Sequence, residues 1–268
     1  MATRISNLAS VDPRAEIGED VSIGPFCVVG PDAKIGDGCV LESNVIIKGR
    51  VIMGVNNHVH PGAVIGGEPQ DVSYHGTRTC VMLGDNNVIR ECVTINRASE
   101  KEDGITKLGS HCFLMANVHI AHDCKLGDRV IMANGTMLGG HCHVQDNATL
   151  SGAVAVHHFT SIGSFSFIGG LSRVIHDVPP YMLVEGIPTR PRCVNVVALK
   201  RNGFPPEVIR ALSEAHRLLY RSRVGVENAR EIMKANDTLV PQVAHLFGFI
   251  ENQMLGRHGR GRDRRKVA

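Results

Sequence analysis

Aliphatic residues recur at every sixth position through the middle of the chain. From residue 108 the series is Leu108, Leu114, Ile120, Leu126, Met132, Leu138, Val144, Leu150, Val156, Ile162, Ile168 and Val174, without a miss. With 43% hydrophobic residues, a chance run of this length has a probability of roughly 4 × 10⁻⁵ when each position is counted against the template. A period of six fits neither a helix at 3.6 nor a strand at 2. It predicts a parallel β-helix, in which short strands turn corners and each anchor stacks on the anchor one coil away. The series already holds from Ile5 through Val11, Ile17, Ile23, Val29, Ile35, Leu41, Ile47, Met53, Val59 and Ile65, and again at Leu83, Ile89 and Ile95. Three hexads make one triangular coil, so these 26 anchors amount to about nine coils and, at ~4.8 Å per coil, a prism roughly 40 Å long. Gly18, Gly24, Gly30, Gly36, Gly54 and Gly66 follow directly on anchors, where a tight corner is expected to need positive φ.

Two stretches fall out of frame and are predicted to leave the coil as loops, at 67–80 and 97–107. Solenoids gather insertions on one side, and such loops often carry function, although plain surface loops are the alternative. The hexads end at Val178-Pro179-Pro180, and from Asn195 the period becomes helical. Pro205-Pro206-Glu207 opens a helix with Val208, Ile209, Leu212, His216 and Leu219 on one face. Two more helices are predicted near 227–235 and 240–254. The expected organisation is a β-helix over 1–190, an α-helical cap over 191–256 and a basic, disordered tail over 257–268.

Composition sharpens this picture. Trp is absent, with 3 Tyr and 8 Phe, as suits a coil interior too narrow for large rings. Cys27, Cys39, Cys112, Cys124 and Cys142 each lie four residues after an anchor, in the slot that Ala33, Val45, Ala63, Ala148 and Val154 also fill. They behave as small apolar fillers. No CxxC pair, signal peptide or membrane-length apolar run is present, so a cytoplasmic chain with reduced thiols is expected. The net charge of +3 is uneven: six basic residues after 256 against Asp263 give +5, leaving −2 for the rest. The body is therefore no nucleic-acid binder by charge.

The histidines concentrate where the hexads are most regular. Positions 18 apart share a side of the prism, which puts His122, His141 and the His157/His158 pair in one column three coils deep. Imidazoles do not belong in a dry aliphatic interior, so the column should face outward. One reading is a general base with Asp123 beside it. Another is a zinc site across adjacent coils. His119 and His122 straddle the anchor Ile120, so their rings should diverge, which weakens the second reading. Buried structural histidines are the plain alternative. No Ser or Cys stands in a nucleophile's motif.

His119-Ile120-Ala121-His122-Asp123-Cys124, Ile23-Gly24-Pro25-Phe26-Cys27, Gly67-Glu68-Pro69-Gln70-Asp71, Gly139-Gly140-His141, Ala155-Val156-His157, Asp177-Val178-Pro179-Pro180-Tyr181 and Leu199-Lys200-Arg201-Asn202-Gly203-Phe204 together resemble the acyl-carrier-protein:UDP-N-acetylglucosamine O-acyltransferases. The likeness covers nearly the whole chain. It implies a left-handed β-helix, against the usual right-handed crossover, with a small C-terminal α-helical domain. It implies a homotrimer that transfers a 3-hydroxyacyl group from acyl-carrier protein to the 3-hydroxyl of UDP-N-acetylglucosamine, the first step of lipid A biosynthesis, without cofactor or metal. By this resemblance His122 is the general base, Asp123 orients it and the Gly140 N–H stabilises the oxyanion. Gln70, Asp71, His141, His157, His158, Asn195 and Arg201 bind substrate, and Gly170 sets acyl-chain length. Ser73, Asn96, His158 and Asn202 stand where the family often has Lys, His, Gln and Arg. Other readings remain open at this point: a related transferase using CoA thioesters or a 3-amino sugar, a γ-carbonic-anhydrase-like zinc enzyme, and a solenoid that only binds partners.

Overall fold

The computed structural model describes residues 2–256 and 259–262. The hexads become three sheets of short parallel strands, here called faces A, B and C. Successive strands of one face are 18 residues apart: Ile5 pairs with Ile23 on face A, Val11 with Val29 on face B, and Ile17 with Ile35 on face C. Every anchor from Ile23 to Val174 is buried. Ile5 is 46% exposed because its strand is the end strand of face A among the described residues. The cysteine fillers Cys27, Cys39, Cys112, Cys124 and Cys142 are buried between anchors, as free thiols.

The corners differ from expectation. Among the six glycines that follow anchors, only Gly66 has positive φ. Close approach requires four of the others, Gly18, Gly24, Gly36 and Gly54: a Cβ on Gly24 would lie 2.7 Å from the Glu42 carbonyl oxygen, and one on Gly36 2.7 Å from Gly54, whereas at Gly30 the nearest atom would be 3.3 Å away. The left-handed residue sits two places later, third after the anchor. Asp20, Gly38, Asn44, Asn56, Asn117 and Asn147 hold it in different coils, residue types that tolerate this conformation.

The B-to-C edge positions the chemistry. His122 lies between His119–Ile120 on face B and Lys125–Leu126 on face C, and His141 and His157/His158 occupy the same edge in the next two coils. Both out-of-frame stretches leave there as well. The first joins Val64–Gly67 to Cys80–Leu83, and the second joins Thr94–Asn96 to Ile105–Leu108. Strand pairing absorbs them, so Val81 pairs with Val51 across the first loop and Leu108 with Leu83 across the second.

A division after residue 190 would cut a strand. Met182–Gly186 continues face A, and Thr189–Val194 folds back antiparallel on it. The helices follow: α1 (Val196–Arg201), α2 (Pro206–His216), α3 (Val226–Ala235) and α4 (Pro241–Met254). Pro206 and Pro241 stand in first turns, where a missing N–H costs nothing. Val208, Leu212, Leu246 and Phe247 are buried in the core that continues from the coil, and Tyr181 hydrogen-bonds His245 of α4 at 2.8 Å. Most of the expected disordered tail lies outside the described residues. Gly259–Arg262, however, forms one 3₁₀ turn against the histidine edge.

Candidate active site

Coil register sets the geometry of the edge. Lys125 pairs with His143 and His143 with Ser161, which stacks 122 over 140 and 158, and 123 over 141 and 159. Asp123, His141 and Phe159 occupy the left-handed corner position of their coils. The His141 ring stacks on Phe159 with centroids 4.4 Å apart and meets the His122 ring edge-on at 5.1 Å. His122 lies directly over Gly140, where a Cβ would come within 2.5 Å of its ring. Gly140 is thus a glycine by steric need, not by dihedral need. Among the described residues no hydrogen bond engages its N–H.

Asp123 is fully buried. It accepts from His122 Nδ1 at 2.8 Å, from Ser99 Oγ at 2.6 Å and from the Ser99 N–H at 3.1 Å. Its own N–H donates to Thr106 Oγ1 at 2.9 Å. Burial alone would push the carboxyl up, but the bonds from His122 and Ser99 and the nearby His141 outweigh it and leave Asp123 below the usual carboxylate value. An ionised Asp123 only accepts, so His122 carries its proton on Nδ1. Nε2 then offers its lone pair outward, 4.0 Å from Asp71 Oδ2.

The two loops wall the site. Gln70, Asp71 and Val72 come from the first, Lys101 and Glu102 from the second, and with His122, Gly139, Gly140, His141, His158 and Phe159 they line a cavity of about 1030 Å³. Asp71 pairs with Lys101, and that bond holds its carboxyl well below the usual range. His141 Nδ1 meets Glu102 Oε1 at 3.0 Å. Burial raises Glu102, yet the hydrogen bond to His141 and the charges of His141 and Arg262 leave it lowered overall.

Six of the expected residues therefore share one cavity: Gln70, Asp71, His122, Gly140, His141 and His158. His157 stands beside it, bonded to Arg260. Asn195 caps α1 and donates to the Phe165 carbonyl, and it lines a second cavity against α2. Arg201 is exposed at the end of α1. Gly170 lies at the A-to-B edge, between Phe167–Ile168 and Arg173–Val174. Its φ is not positive, so it is no left-handed corner; a Cβ there would meet Gly152 at an ordinary 3.4 Å. His119 bonds Thr94 at 2.7 Å while His122 bonds Asp123, so the pair engages different partners. A trio of ligand atoms on His122, Asp123 and His141 does fall within 4.8 Å, but Asp123 Oδ2 and His122 Nδ1 already satisfy each other. Ser99, Thr106, Lys101, Glu102 and Arg262 were missed. For Ser99, Lys101, Glu102 and Thr106 the signal was that the second loop leaves the coil beside the histidines; for Arg262 it was only the basic run after residue 256.

A β-helix prism built of hexapeptide coils, with a buried carboxylate–imidazole pair facing an edge cavity and a helical cap, is the architecture that the comparisons with known proteins match. Residues 14–49 and 105–140 match the family described as bacterial transferase hexapeptide (six repeats), and residues 177–261 match that described as Udp N-acetylglucosamine O-acyltransferase, domain 2. An acyl-[acyl-carrier-protein]–UDP-N-acetylglucosamine O-acyltransferase from Alkalilimnicola ehrlichii is 43% identical over 92% of this chain and 96% of its own. Its counterpart from Synechocystis is 41% identical over 81% of this chain and 78% of its own. The solved UDP-N-acetylglucosamine acyltransferase of Bacteroides fragilis superposes with a TM-score of 0.89 at 36% identity, covering 92% of this chain and 97% of that one. LpxA from Acinetobacter baumannii gives 0.89 at 37% identity, covering 92% and 96%. The chain belongs to the acyl-[acyl-carrier-protein]–UDP-N-acetylglucosamine O-acyltransferases, and its coil is the left-handed β-helix of that family.

Proposed function

We propose that this protein transfers a (R)-3-hydroxyacyl group from acyl-carrier protein to the glucosamine 3-hydroxyl of UDP-N-acetylglucosamine, opening lipid A biosynthesis. The observation that carries the reading is the His122–Asp123 pair, with His122 Nε2 left free to accept a proton beside Asp71. Nε2 takes the proton of the sugar hydroxyl as its oxygen attacks the thioester carbonyl. The imidazolium that forms lies between two carboxylates, Asp123 on Nδ1 and Asp71 near Nε2. Gly140 lines the same cavity, and its N–H, without a partner among the described residues, serves the developing oxyanion, a fixed dipole needing no reorganisation. Collapse of the tetrahedral intermediate expels the carrier thiolate, which receives the proton from His122.

Gln70, Asp71, His141, His157 and His158 hold the acceptor. Asn195 and Arg201 lie away from this cavity and are assigned to the nucleotide in a neighbouring subunit's site. That assignment requires an assembly, and the faces favour one. Outward positions on face A include Val40, Val88, Phe113, Ile131 and Phe167, and on face B Val28, Ile46, Val64 and Met137. Face C presents Glu16, Lys34, Lys107 and Lys125 along with Ile52 and Met82. Two apolar faces and one charged face suit a cyclic trimer in which face A of one prism covers face B of the next. An acyl chain would then run across face B from His122 to Gly170 at its other edge. We assign the chain to the cytoplasm on the reading that its donor is acyl-carrier protein and its cysteines are reduced. Among the described residues no helix is long and apolar enough to cross a membrane.

The test is transfer from a panel of 3-hydroxyacyl-carrier proteins to UDP-N-acetylglucosamine, with the product identified by mass. A 3-O-acylated product is expected. Turnover only with a 3-amino sugar, or only with acyl-CoA, would replace this reading by another transferase of the same fold.

A further inference from the structure

The turn Gly259–Arg262 sits against the histidine edge through contacts that are individually specific. Gly259 has φ +58 and packs on Asp177 so closely that a Cβ would overlap the carboxyl. The Arg260 N–H donates to Asp177 Oδ1 at 3.3 Å. Its guanidinium donates to His157 Nδ1 at 2.6 Å and to the His158 carbonyl at 3.1 Å. Arginine only donates, so His157 Nδ1 is the acceptor there. Arg262 lies over the Phe159 ring at 5.7 Å. Its Nη2 donates to the His141 and Phe159 carbonyls, and its Nη1 to His143 Nε2 at 2.9 Å and Glu102 Oε1 at 3.4 Å. Gly256, Gly261 and Arg262 line the same cavity as His122, Gly140 and His141.

Two facts say what the arginine is for. Among the described residues the cavity is lined by Asp71 and Glu102, with Asp123 behind them, against the one cation Lys101 when Arg262 is set aside. A phosphate-bearing substrate would meet net repulsion there. Arg262 offsets one of these negative charges, and among the described residues its buried Nε has no hydrogen-bond partner, an unspent donor on a planar fork suited to phosphate oxygens. About 1030 Å³ stays open with the turn in place, so the turn forms a wall of the cavity and does not plug it.

We infer that Gly259–Arg262 is a strap that completes the active-site wall, and that Arg262 is a binding residue for a phosphate group of the substrate. The inference rests on the acyl-transfer reading for the identity of that substrate. The phosphate belongs either to the diphosphate of UDP-N-acetylglucosamine or to the phosphodiester of the carrier's prosthetic arm, and steady-state kinetics of the full chain separates them.

Arg262→Ala should raise KM for one of the two substrates on the order of 10- to 100-fold, as expected for loss of a charged hydrogen bond, with kcat nearly unchanged. Arg262→Lys should recover part of that loss. A rise confined to the sugar nucleotide identifies the diphosphate, and one confined to the carrier identifies its phosphodiester. Gly259→Ala, which keeps both arginines but cannot seat the turn, should reproduce the defect. Unchanged KM values with a lowered Tm would make the strap a structural clamp and overturn the inference. A rise in kcat/KM would make it an inhibitory segment and overturn it equally. Direct titration of UDP and of 4′-phosphopantetheine into the unaltered and Arg262→Ala proteins stands apart from turnover. If the unaltered protein transfers no acyl group, the functional reading fails, whereas equal binding of both probes to both proteins sinks the strap.

Discussion

At the scale of single residues, the site depends on a glycine as much as on a histidine. His122→Ala should lower kcat by about 10²–10⁴, the usual contribution of a positioned base, with Tm within a degree or two of the unaltered protein. Gly140→Ala leaves every catalytic side chain present, but its Cβ would lie 2.5 Å from the His122 ring. The ring must move off Asp123, and kcat should fall almost as far; near-native turnover in either variant would remove His122 from the mechanism. Gly170 tests the other end of the proposed groove. Its φ is ordinary and a side chain fits without backbone clash, so Gly170→Met should fold. It should shift preference from a 3-hydroxymyristoyl-like donor toward a 3-hydroxydecanoyl-like one, each excluded CH₂ being worth ~0.8 kcal/mol. Equal loss toward all chain lengths would mean that Gly170 lines no groove. Ser99 and Thr106 anchor Asp123 from 24 and 17 residues away; nothing local in the sequence marks them.

Elements show where pattern stops being enough. The coil strands were legible because each carries one inward aliphatic at fixed spacing. The hairpin Met182–Gly186 with Thr189–Val194 was not. Its Pro188 and Pro191 signal a break, yet an edge strand tolerates proline because one side of it needs no donor. The corner glycines were legible as glycines, but their reason was misread, since close coil-to-coil contact leaves no trace in one coil's sequence. The cap meets the coil through Tyr181 and His245. Burial lowers the pKa of His245, and of His216 on α2. Below the unfolded value of about 6.5 the unfolded chain then binds protons that the folded chain refuses. Their contribution to stability is fully present above that value and lost as pH falls through the folded one. Tm should therefore decline between pH 7.5 and 5, and His245→Phe should flatten the decline; an unchanged slope would acquit this contact.

For the whole molecule, the decisive property is the unequal character of the three faces. Apolar side chains point outward from A and B, Ile131 at 37% and Met137 at 49% exposure, and none of the described residues covers them. Light scattering at micromolar concentration should report three copies. Ile131→Arg on face A and Met137→Arg on face B should each shift that mass downward and depress activity together with it. A monomeric, active native protein would refute both the assembly and the groove that crosses face B.

The sequence by itself determined the coil. A six-residue period can be satisfied only by stacking, so the number of coils, the buried anchors and the cysteine fillers follow from spacing alone. It also located the histidine column, because register in a solenoid is arithmetic. Tertiary structure decided the rest. That both loops leave at the same edge, that Ser99 reaches Asp123, and that Arg262 returns to His141 over a separation of 121 residues are outcomes of where the chain passes in space. Such contacts carry no period, and only the folded coil brings their ends together.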